Sequence, residues 1–236
     1  MNEKVKLPSY QDPPLPLRHL LTSSELAPVK FREDIWKYNR ALAFTSLGVN
    51  EDHTVNRGHG PPVFRISGEL RYRSGALTPA EGRTPSYAQI YVLDSPMEAL
   101  ETRMALNASL ERPIMHSLQA MLSDHHAYVP IYKQAFEILQ HYDISNDAEI
   151  RLRLTPQLDQ RQYNLPTSNE VAVILPGTPA THPWDIILRC RQGPLHRISD
   201  LHPAYLPLQY PLLFPYGENG WYPEMQLSET EQQQSK

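Results

Sequence analysis

The chain has 236 residues and a mass of 27.1 kDa, enough for one large or two small domains with a real core. Apolar residues make up 40% and charged residues 20%, which excludes a disordered tail, and a net charge of −4 supplies no global basic field for nucleic acid. No run of 18 apolar residues is present to span a membrane, the first 30 residues lack a signal peptide's apolar stretch, and the lone Cys190 excludes an internal disulfide and fits a reducing, intracellular setting.

Proline is the outlying residue type. Its 23 copies are about 10% of the chain, roughly twice average usage, which favours short elements joined by stiff connections. The basic set is also skewed, with 16 Arg against 6 Lys. A guanidinium fork suits carboxylate, phosphate and buried contacts better than an ammonium does.

Residues 1–30, with Pro8, Pro13, Pro14, Pro16 and Pro28, read as a proline-rich flexible arm. Phe31, Ile35, Tyr38 and Leu42 then recur at helical spacing, and Ala41–Leu47 suits a strand. A loop covers 48–62, a strand covers Val63 to Leu70, and Arg71 to Pro85 is a second loop. Tyr87–Asp94 is apolar enough for a central strand. Ser95, Pro96 and Glu98 form a start signal for a helix to about Ala105. Further helices are expected over Pro113–Leu122 and Pro130–Tyr142.

Ile150, Leu152 and Leu154 alternate with charged residues, a period-2 strand with one wet face. Glu170–Leu175 and Trp184–Cys190 are the next strands. Leu201 to Trp221 is a proline-aromatic run in which Pro207, Pro211 and Pro215 forbid a helix; its leucines call for extended packing across the domain. The expected fold is α+β: a mostly antiparallel sheet, about three to four helices, long proline-rich loops and an extended C-terminal segment. The expected organisation is an arm (1–30), one domain (31–222) and a disordered polar tail (223–236).

The search for catalytic groups is brief. No glycine precedes a lysine, so a phosphate-cradling Walker loop is missing, and Pro61 and Pro62 spoil the dinucleotide fingerprint begun by Gly58 and Gly60. No two histidines lie two apart. The cluster Asp124, His125 and His126 supports a small metal-dependent nuclease only weakly, because adjacent residues diverge; polar helix termination suits it better. Tyr87/Tyr91 and Tyr128/Tyr132 have nucleophile-pair spacing but read as core aromatics. No catalytic residue, metal or cofactor is assigned.

Several segments occur together in order: Phe31 to Asn39 (FREDIWKYN), Ala41 to Gly48, Phe64 to Gly68, Tyr87 to Asp94, Arg161 to Thr167, Asn169 to Ala172, and Leu208 to Trp221 (LQYPLLFPYGENGW). Over about residues 15–222 the chain resembles the N-terminal region of Helitron-type rolling-circle Rep-helicase transposases. The resemblance implies an accessory role upstream of nuclease and helicase domains, in a nuclear setting. The chain then reads as a detached front section: a truncated element copy, a split gene or a domesticated fragment.

Two partners follow: single-stranded DNA, and the nuclease and helicase domains of a related transposase. Arg151, Arg153, Arg161, Arg189, Arg191 and Arg197 are candidates for phosphate contact, and Tyr163 for base stacking. The alternative is a protein-contact scaffold that does not touch DNA.

Overall fold

Proline at a helix start costs nothing, because the first four N–H groups have no partner within the helix. This placement recurs through the protein. In the computed structural model, which describes residues 11–51, 66–141, 148–152, 171–176, 186–189, 196–197 and 201–222, Pro14 caps helix α1 (Leu15–Thr22) and Pro16 lies in its first turn. Pro28 likewise sits in the first turn of α2 (Leu26–Leu42).

Leu17 and Leu20 of α1 are buried against α2, whose own buried face is Phe31, Tyr38 and Leu42. Arg32 locks the pair, donating from Nη1 to the carbonyls of Leu20 (3.0 Å) and Ser23 (2.8 Å) at the end of α1. The described part of the expected flexible arm, residues 11–30, is therefore helical and packed. Prolines confined to first turns made it look like a tether.

Beyond α2, strand β1 (Ser46–Glu51) pairs antiparallel with β2 (Ile66–Ser74). Tyr87–Asp94, expected as a strand, instead forms a short helical turn, α3 (Ala88–Tyr91). Tyr87 enters it at φ 52, and Gln89 holds the loop before it, donating to the carbonyls of Ala76 (3.0 Å) and Thr78 (3.2 Å). Ala88, Tyr91 and Val92 face the core, a three-four spacing hidden inside an apolar run.

Three longer helices follow. In α4 (Pro96–Leu106) the Ser95 side chain accepts from the Glu98 N–H at 3.3 Å and Pro96 opens the helix, as the start signal predicts. Next come α5 (Arg112–His125) and α6 (Tyr128–His141), each overlapping its expected segment. Pro130 again falls in a first turn.

Strand β3 (Ala148–Leu152) lies between β4 (Val171–Pro176) and β5 (Ile186–Arg189), and β6 (His196–Arg197) adds to the free side of β2. The proline-aromatic run, expected to be extended, contains helix α7 (Tyr205–Gln209) and successive turns. Pro207 is tolerated because it occupies the first turn, and the helix stops before Pro211. Gly217, at φ +76, brings the chain within hydrogen-bond reach of α6, with the Ala127 N–H donating to the Tyr216 carbonyl at 3.1 Å.

The expected mostly antiparallel α+β fold is thus overturned. Seven helices build the packed body among the described residues, and both buried clusters are drawn from helices and the segments joining them. One cluster joins Leu17, Phe31, Leu42, Leu100, Met115, Leu118, Leu122 and Leu212; the other joins Phe44, Leu77, Tyr91, Val129, Tyr132 and Leu208. The strand segments are short and divide into two sheets of three. Period-2 stretches were legible locally, but alternation in a short strand says nothing about where the core lies. The tail 223–236 lies outside the described residues.

Both clusters meet at Arg103 of α4, which is 1% exposed. Its Nε donates to the Ala41 carbonyl (3.3 Å), its Nη1 donates to Gln119 Oε1 (2.7 Å), and its guanidinium carbon lies 4.5 Å from the Tyr91 ring centroid. Burial depresses its pKa, and no carboxylate among the described residues balances its charge. The compensation is the C-terminal end of the α2 dipole, an amide oxygen and a π face.

Gln119→Leu, which removes the shortest of these bonds, is expected to destabilise the fold by about 3 kcal/mol in urea unfolding. Arg103→Met in the same chain should restore much of that loss. A double variant no better than Gln119→Leu alone would show that the stranded charge is not the cause.

Candidate functional site

Of the candidate phosphate-binding arginines, Arg151, Arg189 and Arg197 lie among the described residues, in two different sheets. In the sheet β4-β3-β5, Arg189 is the register partner of Glu149, two residues from Arg151 on the central strand. Arg197 lies in the other sheet, directly opposite Arg73. Arg153, Arg161, Tyr163 and Arg191 lie outside the described residues.

Sequence reasoning missed the partner of Arg197. Arg73 of β2 is the register partner of Arg197 of β6. The signal was present in the alternation Arg71-Tyr72-Arg73, the same pattern as Arg151-Leu152-Arg153, but the neighbouring glycine and prolines made that stretch look like a loop.

The Asp124, His125 and His126 cluster is pulled apart by the end of α5. His125, its last residue, meets the Tyr216 ring edge-on at 5.8 Å, while Asp124 is exposed. His126, the C-cap, turns into the core and stacks on Phe44 (4.9 Å between centroids, 24° between planes). Among the described residues no three His, Cys, Asp or Glu side chains come close enough to hold a metal ion. Of the tyrosine pairs, Tyr91, Tyr128 and Tyr132 are buried, and burial pushes the Tyr91 phenol up to about 12. The Tyr91 hydroxyl donates to the Leu42 carbonyl at 2.6 Å, a structural bond.

These groups form a column. Arg103 lies over Tyr91, Tyr91 stacks on Phe44 (4.1 Å, 5°), and Phe44 stacks on His126. Its members come from α4, α3, the segment after α2 and the end of α5. The column is chemically quiet: every group with nucleophilic or acid-base capacity in it is buried or tied to backbone. No helix among the described residues is long and apolar enough to cross a membrane. No family model, curated protein or solved structure matches the chain.

His126 gives the site a defined pH dependence. Burial lowers its pKa from 6.5 to about 3, with the Pro207 carbonyl pulling the other way. The unfolded chain therefore binds a proton between these values that the folded chain refuses. Stability is full above pH 6.5 and falls as pH drops, by about 1.4 kcal/mol per unit at most. Urea unfolding between pH 7 and 5 should show this slope, and His126→Phe, which keeps the stack, should flatten it. Equal slopes in the two proteins would contradict the assignment.

Proposed function

We propose that the chain is a non-catalytic accessory domain of the Helitron transposase type, which assists in handling single-stranded DNA and in docking the nuclease domain. The observation that carries this reading is the convergence of the segments that bear the resemblance. Asn39, closing the first segment, donates from Nδ2 to the Gln209 carbonyl (2.9 Å) and accepts from the Leu212 N–H (3.2 Å). Thr45 of the second segment donates to Gln209 Oε1 (2.6 Å), and the Phe44 N–H donates to the Leu208 carbonyl (2.9 Å). Tyr91 of the fourth segment bonds Leu42.

Segments up to 173 residues apart in sequence thus form one interior. That is the pattern expected of a folding unit whose motifs serve the scaffold, with contact surfaces left to the periphery. The separation of His125 from His126 supports the non-catalytic part. Arginines opposite one another in the β1-β2-β6 sheet support the DNA part, and a nuclear location goes with it.

Fluorescence anisotropy of a labelled oligothymidylate across a salt series tests the reading. Affinity should fall as salt rises, with a log–log slope of about −0.7 for each phosphate neutralised. Replacing Arg73 and Arg197 together by Gln should make the slope shallower by about 1.4, one phosphate for each arginine. No binding at low salt, or binding indifferent to salt, would remove the DNA role and leave the protein-contact scaffold.

A further inference from the structure

Helix α2 buries aromatic side chains at two of its three aromatic positions and leaves the third in solvent. Phe31 and Tyr38 are in the core, whereas Trp36 is 59% exposed at mid-helix. An indole is the most costly side chain to leave uncovered, and more than half of this one is open to solvent. Two cations flank it. Lys37 Nζ lies 5.4 Å from the ring centroid and 2.7 Å from Asp34 Oδ1. Arg40, one turn further on, is exposed, and its guanidinium has no ion-pair or hydrogen-bond partner among the described residues.

This edge is held rigidly. Asn39, between Trp36 and Arg40 in sequence, is fixed by its two bonds to Gln209 and Leu212, and Phe31, Tyr38 and Leu42 of the same helix are buried. The result is a fixed aromatic face with a guanidinium about 6 Å along the helix axis.

The geometry points to Trp36, Lys37 and Arg40 as a stacking platform for single-stranded nucleic acid. A base lies on the indole, and the flanking phosphate meets Arg40. This inference rests on the single-stranded DNA reading given above and names a site that the candidate arginines do not include. Two features favour a nucleotide over an acidic peptide: an exposed flat ring that any base can stack on, and a planar guanidinium fork matched to phosphate. Exposed Glu33, one turn before Trp36, sets polarity along the helix, so the backbone runs past Arg40 and away from the N-terminal side.

The test measures oligothymidylate binding by the full chain and by Trp36→Ala, Trp36→Phe and Arg40→Gln, with thermal melts confirming that each variant folds. Trp36→Ala should weaken binding by about tenfold with the salt slope unchanged, and Trp36→Phe should recover most of the loss. Arg40→Gln should weaken binding and make the slope shallower by about 0.7. If the parent chain binds DNA and Trp36→Ala binds it equally, the platform is wrong and the DNA reading survives. If the parent chain fails to bind at low salt, both are wrong. Polyglutamate binding as tightly, with the same loss in Trp36→Ala, would overturn the nucleic-acid assignment in favour of an acidic polypeptide.

Discussion

The structure depends on how the C-terminal end of α2 is closed. A helix leaves its last four carbonyls without intrahelical donors, and most helices satisfy them with a left-handed glycine or with water. Here neither is available. The C-cap is Ala43 in an extended conformation, and Leu42, Ala43, Phe44 and Thr45 are all buried. Donors must come from elsewhere, because a buried carbonyl left unpaired costs about 1–3 kcal/mol. Arg103 serves Ala41, Tyr91 serves Leu42 and the Ala88 N–H serves Phe44. One helix end therefore specifies the positions of α3 and α4.

The same end recruits the proline-aromatic run. The Phe44 N–H needs an acceptor and finds the Leu208 carbonyl; Asn39 and Thr45 engage Gln209 and Leu212. With Pro207 in a first turn and Pro211 after the helix, α7 is too short to persist unless this docking holds it. Leu208, Leu212 and Phe214 are buried as a consequence. The most distinctive residues of the run thus belong to the interior, whereas Trp36, Leu213 and Trp221 remain exposed.

Much of this was legible before any coordinates. The α2 face at Phe31, Ile35, Tyr38 and Leu42 and the Ser95-Pro96-Glu98 start signal depend on neighbours within one or two turns, and both appear where the residues placed them. The errors share one origin. Pro14, Pro16, Pro28 and Pro207 were weighed as breakers when each lies at the start of a helix, and Tyr87–Asp94 was weighed by composition when the Gln89 bonds to Ala76 and Thr78 decide its form. Only the arrival of α2, α3 and α5 around Arg103 makes it a buried hub. The pairing of Arg73 with Arg197 is likewise a long-range fact, carried by strand register and not by local pattern.

Native-state hydrogen exchange tests the role of the α2 end most directly. The amides of Phe44, Ala88 and Leu212, which donate to Leu208, Phe44 and Asn39, lie outside the regular ladders of their helices. If the closure of α2 holds the fold together, all three exchange only through global unfolding, at the same opening free energy as the buried interior of α5 around Leu118. Exchange at Leu212 and Ala88 many-fold faster than at Leu118 would show that the C-terminal run and α3 open independently, and the account would fail.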